Sequence, residues 1–178
     1  MTALRSLLFL IIAPGMVAGY IPLVLLRKGP QLETGPFAYL AFPFWIVGAV
    51  ILLWSFWNFL VDGRGTPAPI DPPKELVATG FYRYVRNPMY VGVLLILIGH
   101  FLWFKNIWLI VYTVVAFLIV HLFVTLYEEP TLKRKFGAGY EEYLKKVPGW
   151  IPFGSQCMNA MRQNEGRLKF LDKYKCIL

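Results

Sequence analysis

Four stretches of this chain contain no Asp, Glu, Lys or Arg: residues 6–26, 34–61, 87–104 and 106–127. Each reaches or nearly reaches the roughly 20 residues that a helix needs to cross ~30 Å of hydrocarbon. They are apolar on all sides, whereas helices of soluble domains carry one apolar stripe. Hydrocarbon offers backbone polar groups no outside partner, so such segments are confined to helices that satisfy themselves. The sequence therefore predicts an all-α, multi-pass membrane helical bundle of about four transmembrane helices. Apolar residues make up 57% of the chain and charged residues 16%, too apolar a balance for an ordinary soluble domain.

Only Lys105 and Asn106 separate the third span from the fourth, which predicts a tight antiparallel hairpin. The first span is punctuated by Pro14, Gly15, Gly19 and Pro22, tolerable in a membrane where neighbouring helices re-satisfy the backbone. Its length and its single preceding Arg5 fit a first membrane helix better than a secretory signal, and no clear small-residue cleavage site follows.

The net charge of +8 could suggest nucleic-acid binding, but its distribution argues for topology instead. With four spans, every Lys and Arg except Arg27, Lys28 and Lys105 falls on one side of the membrane. That is the positive-inside pattern, which places both termini in the cytoplasm and the basic excess against anionic headgroups. The membrane would be the plasma or inner membrane in a prokaryote and the endoplasmic reticulum in a eukaryote. Cys157 and Cys176 both lie in the predicted cytoplasmic tail, where thiols stay reduced. Cys176 is third from the end and so does not make a prenylation box.

Three parts are expected. Residues 1–61 form a transmembrane hairpin with few polar atoms, most simply a scaffold. Residues 62–153 hold helices three and four and the polar motifs. Residues 154–178 form a polar tail with no assigned role. Within the second part, residues 63–73 are rich in Pro and Gly and read as an extended linker. Pro88 suits the first turn of helix three. Residues 131–146 read as an amphipathic cytoplasmic helix with Leu132, Phe136, Tyr140, Tyr143 and Leu144 on one side, weakened in the middle by Gly137 and Gly139.

The polar chemistry gathers at two helix ends. Residues 76–92 place Arg83, Arg86, Asn87-Pro88 and several tyrosines at the start of helix three; Glu128-Glu129-Pro130 closes helix four on the same side. His121, Thr125 and Glu128 recur at one helical face. Ionisable groups near membrane depth are costly, which marks His121, Glu128 and Glu129 as candidate catalytic residues. Each also has a plainer role. His121 can be a bundle histidine hydrogen-bonded to a neighbouring helix, the glutamates a solvated helix end, and the arginines interface anchors. A metal site is not expected, because two histidines on separate helices lack ligand spacing. Gly137-Ala138-Gly139 reaches Glu142 where a dinucleotide fingerprint needs glycine, and no strand precedes it. No serine-nucleophile motif occurs.

The run Leu76-Val77, Gly80, Tyr82, Arg86-Asn87-Pro88, Tyr90, Gly92, followed by Glu128-Glu129, Leu132, Phe136-Gly137, Tyr140, Tyr143 and Val147-Pro148, resembles the isoprenylcysteine carboxyl methyltransferase family. The resemblance covers about residues 63–153. It implies a membrane-embedded enzyme, related to the phospholipid methyltransferases, that moves a methyl group from S-adenosylmethionine to a lipophilic acceptor. It further implies a cofactor site at the cytoplasmic interface built from Lys74, Glu75, Leu76, Val77, Tyr82, Arg86, Asn87, Pro88, Met89, Tyr90 and Glu128. The chemistry is compatible. Glu128 can accept from an ammonium or ribose hydroxyls, and tyrosines offer flat faces to an adenosine and a sulfonium.

Two positions depart from that family. Asn87 stands where histidine is commoner, and Val124 stands where prenylcysteine enzymes place a substrate-binding arginine. A neutral or amine-bearing lipid-like acceptor is expected in place of a prenylcysteine carboxylate. Two other readings remain open at this point: a sterol-type reductase using NADPH, and a non-catalytic membrane scaffold.

Overall fold

The computed structural model describes residues 12–27, 35–62 and 76–152. Among the described residues six helices carry the fold: α1 (Ile12–Leu26), α2 (Ala41–Asp62), α3 (Pro88–Phe104), α4 (Ile107–Phe123), α5 (Glu129–Phe136) and α6 (Ala138–Lys146). No β-strand occurs among the described residues. Two continuous apolar helices, Pro36–Val61 and Ile107–Phe136, are long enough to cross a membrane, while Ile12–Leu26 and Pro88–Phe104 are shorter apolar helices.

The tightest packing joins α2 to α3, and two glycines make it possible. A Cβ on Gly48 would come within 2.7 Å of the Gly92 carbonyl oxygen, and one on Gly92 within 2.8 Å of the Gly48 oxygen. Apolar helices in hydrocarbon gain little from burial, so small residues that let backbones touch are their main source of packing. Further along, the Trp45 ring fills the space that a side chain on Gly99 would need. Trp45 there packs against His100 and Trp103, with ring centres 5.6 and 5.8 Å away.

The hairpin between α3 and α4 is as tight as the sequence predicts. Lys105 takes a left-handed conformation at φ 50°, ending α3, and the Asn106 side chain caps α4 by accepting from the Trp108 N–H at 2.9 Å.

Two wide turns interrupt this regular geometry, and each ends two residues before a proline. Met16–Tyr20 in α1 precedes Pro22, and Val124–Glu128 beyond α4 precedes Pro130; both have π-helical bonding. Proline supplies no N–H and its ring crowds the carbonyl a turn earlier, so the preceding turn widens. The second wide turn carries Glu128.

One expectation needs correction. The amphipathic helix over residues 131–146 is two helices, α5 and α6, broken at Gly137, whose φ of 54° is open to glycine at little cost. A Lys133–Glu141 ion pair of 2.8 Å spans the break. The linker at 63–73 and the tail from 154 lie outside the described residues.

Candidate functional site

The start of α3 and the π-turn after α4 meet at one cavity of about 210 Å³. Its polar wall contains Tyr82, Arg86, Asn87 and Tyr90 from the first element, and Glu128, Glu129 and Thr131 from the second. Leu76, Val77, Met89, Leu132, Tyr140 and Tyr143 complete that end. The cavity thus gathers most of the side chains that the sequence singles out. Pro88 is buried in the first turn of α3 without lining it. Lys74 and Glu75 lie outside the described residues.

The two adjacent glutamates are partnered differently. Arg86 Nη1 lies 2.8 Å from Glu129 Oε1 in a pair whose side chains are 20% and 25% exposed. Glu128 Oε2 instead accepts from the Tyr90 hydroxyl at 3.2 Å. Arg86, Glu128 and Glu129 are the charged residues of the lining among the described residues. With Arg86 committed to Glu129, Glu128 is the carboxylate of the lining without a cation partner among the described residues. Arg86 Nε is buried and has no hydrogen-bond partner among the described residues, a donor left over at the cavity wall.

A turn near the C-terminal side of the fold straps the site together. The Arg86 N–H donates to the Pro148 oxygen at 2.9 Å, and the Asn87 N–H to the Gly149 oxygen at 3.3 Å. The Asn87 side chain adds a third bond, Nδ2 to the same Gly149 oxygen at 3.1 Å, and so does not cap α3. Tyr143 donates its hydroxyl to the Tyr82 carbonyl at 2.7 Å, tying α6 to the loop before α3. Burial, with the Glu128 carboxylate next, holds the Tyr82 phenol well above the ordinary phenol range. Burial likewise raises Tyr140, with Glu129 adding to it, and Tyr143, with Tyr140 adding to it. Burial keeps these phenols protonated, and the Tyr143 hydroxyl is a donor in the bond just described.

Gly80 shapes the same loop. It has φ 54°, and a Cβ there would collide with the Asn58 side chain of α2.

His121 is placed elsewhere. It does not line the cavity; its Nδ1 accepts from the Trp150 indole at 3.2 Å, which puts its ring proton on Nε2. Phe117 stacks on it at 5.8 Å between centres and meets Trp150 edge-on at 5.1 Å. The histidine thereby joins α4 to the turn that carries Trp150. Nothing in the sequence marks Trp150 as supporting the site, since a contact across 29 residues leaves no local pattern.

Ala13, Pro14 and Val17 of α1 and Leu52 and Phe59 of α2 also line the cavity. Val124, which stands where the resembling family has arginine, is 2% exposed and lines it too. No cluster of three or more His, Cys, Asp or Glu residues able to hold a metal occurs among the described residues.

A cavity at the helix ends of an apolar bundle, lined by an unpaired carboxylate and several aromatic faces among the described residues, has the concave, mostly apolar character of small-molecule sites. Residues 34–139 match the family described as Phospholipid methyltransferase, and the chain belongs to that family. Methanethiol S-methyltransferase of Crocosphaera subtropica is 34% identical over 88 residues, which are 46% of this chain and 31% of that protein. Protein-S-isoprenylcysteine O-methyltransferase of Schizosaccharomyces pombe is 39% identical over 80 residues, 43% of this chain and 33% of that protein. The aligned stretch spans about a third of each relative's length. No solved structure matches this chain significantly.

Proposed function

We propose that the protein is a membrane-embedded methyltransferase that binds S-adenosylmethionine in the cavity between α3 and the Glu128 turn and methylates a lipophilic acceptor. The observation that carries this reading is the division of labour between the glutamates: Glu129 is neutralised by Arg86, while Glu128 faces the cavity with only a phenol beside it. A carboxylate that no protein cation neutralises among the described residues suits a ligand carrying sulfonium and ammonium groups. The spare Arg86 Nε–H suits that ligand's carboxylate. Tyr82, Tyr90 and Tyr140 supply aromatic faces for a purine and a sulfonium.

Glu128, Arg86 and the tyrosines of the lining would hold S-adenosylmethionine there, and it would supply an electrophilic methyl group to an acceptor lone pair. The protein's own work is positioning and exclusion of water. Tyr90 orients the Glu128 carboxylate, and Arg86, held by Glu129 and the Pro148 oxygen, fixes the loop before α3. Where the acceptor must lose a proton, Glu128 is the carboxylate with free acceptor capacity; Glu129 is engaged, and His121 lies outside the lining. Val124 leaves the acceptor side without a cation, which supports a neutral or amine-bearing acceptor.

In this reading α1 to α4 are four spans, both termini are cytoplasmic, and residues 1–61, 62–153 and 154–178 are hairpin, catalytic region and tail. The purified protein, reconstituted with membrane lipids and methyl-tritiated S-adenosylmethionine, is expected to carry label into the organic phase, and Glu128→Gln to abolish that transfer. Label confined to the aqueous phase with every lipid extract tried would overturn the reading.

A further inference from the structure

Helices α3 and α4 are joined through Lys105 and Asn106, and the cavity lies at the opposite end of α3. That helix has 17 residues, so the hairpin is roughly 25 Å from the site. The hairpin therefore leaves the spacing of the two helices at the cavity to whatever crosses between them there. Tyr90 crosses from α3 to Glu128 by one hydrogen bond of 3.2 Å. A tyrosine side chain turns about two bonds, so a single contact at its hydroxyl does not fix it unless something also packs on its ring.

Trp150 packs on that ring. The ring centres of Tyr90 and Trp150 are 6.5 Å apart, with their planes at 38°. The same indole meets Phe117 of α4 edge-on at 5.1 Å and donates its N–H to His121 Nδ1 at 3.2 Å. The two residues before it are held to the start of α3, because the Pro148 and Gly149 oxygens accept from Arg86 and Asn87. Gly149 lies close enough that a Cβ there would come within 3.2 Å of Arg86 Nη2. The backbone leading into Trp150 is thus tied to α3 and the far edge of its ring to α4.

Trp150, Phe117 and His121 do not line the cavity, so whatever they contribute to the site passes through the side chains that do. Tyr90 is the lining residue in ring contact with Trp150. His121 precedes Glu128 by seven residues, roughly two turns. Tyr90 therefore meets this element twice, directly at Glu128 and through the indole at His121.

We infer that Trp150 is a positioning residue for Glu128: fastened to His121, its indole spaces α3 from α4 and seats the Tyr90 ring so that the hydroxyl holds the Glu128 carboxylate in place. The inference rests on the methyltransferase reading above for what Glu128 binds, whereas the Tyr90–Glu128 contact stands without it.

The test uses full-length protein in phosphatidylcholine nanodiscs, with carbon-13 at tyrosine Cζ and the Tyr90 resonance assigned through Tyr90→Phe. Glu128→Ala marks where that resonance falls when the bond is lost. Trp150→Phe keeps a ring without the N–H, and His121→Leu removes the same bond from the other side. Both are expected to move the Tyr90 resonance toward the Glu128→Ala position. His121→Asn, which keeps an acceptor near the place of Nδ1, should bring it back. By calorimetry on the same samples, Trp150→Phe and His121→Leu should each weaken S-adenosylmethionine binding about fivefold. Neither should weaken it further in a Glu128→Gln background, because the effect passes through that carboxylate.

A Tyr90 resonance that stays in place in both variants, wild-type affinity in both, or equal losses with and without the Glu128 charge overturns the inference. Equal losses are what a merely structural tryptophan gives. Should Trp150→Phe fail to fold, His121→Leu and His121→Asn carry the same comparison. Unmodified protein that does not bind S-adenosylmethionine sinks the methyltransferase reading, and the Tyr90 resonance then decides the positioning role by itself.

Discussion

Arg86 Nη1 lies 2.8 Å from Glu129 Oε1, and this pair leaves Glu128 without a cation partner among the described residues of the cavity lining. Neither side chain is more than a quarter exposed, so removing one partner strands the other in a poorly solvated place. Arg86→Ala is expected to destabilise the protein by about 1–3 kcal/mol, below the cost for a fully buried pair. Glu129→Gln in the Arg86→Ala background should recover part of that loss. Thermal unfolding of the four proteins of this double-mutant cycle checks it, and additive effects would show that the pair is not coupled.

The strap between the α3 start and residues 147–150 should depend on Asn87. Asn87→Ala removes the Nδ2 bond to the Gly149 oxygen and leaves the two backbone bonds in place. A loss of about 1 kcal/mol is expected, seen as faster amide exchange of the Arg86 and Asn87 N–H groups. Unchanged exchange would mean that the side chain adds nothing to the strap.

The α2–α3 crossing is expected to tolerate no added carbon. Gly92→Ala puts a methyl group 2.8 Å from the Gly48 oxygen and 2.9 Å from the Leu52 nitrogen, backbone atoms that cannot swing aside. A cost of about 1–3 kcal/mol is expected in a thermal melt, while Gly139→Ala, which meets nothing within 4 Å, should leave the midpoint close to wild type or above it.

The raised phenols give an alkaline signature. Tyr82, Tyr140 and Tyr143 hold their protons in the fold at pH values where an unfolded phenol, at about 10, loses them. Their contribution is complete below about pH 10 and is lost as pH rises toward the higher folded values. The melting midpoint should therefore fall above about pH 10, and more gently in Tyr143→Phe, which has one such phenol fewer. Parallel curves would argue against a titrating Tyr143.

Much of this arrangement is written locally in the sequence. Uncharged runs give the apolar helices, Lys105-Asn106 gives the hairpin, Pro88 takes its first-turn place, and Tyr90 and Glu128 stand out as polar groups at helix ends. What the sequence hides is set by long-range geometry. Nothing local says that Arg86 chooses Glu129 over Glu128, since the choice follows from the wide turn before Pro130. The bonds from Trp150 to His121 and from Tyr112 to Val17 cross 29 and 95 residues, so neither leaves a periodic trace. An apolar α1 reads as scaffold because an apolar cavity wall uses the same residue types. The break at Gly137 was visible as a weak point in the helix, but its sharpness depends on a positive φ that no composition reveals.

The central claim is that Glu128 holds the methyl donor. Titration calorimetry of the detergent-solubilised protein with S-adenosylmethionine, in wild type and Glu128→Gln, tests it most directly. Glutamine can keep a bond with Tyr90 but removes the charge, so the account predicts saturable wild-type binding that weakens by about tenfold or more, the equivalent of about 1.4 kcal/mol, in the variant. Equal affinity in the two proteins, or no binding to wild type at all, would contradict it.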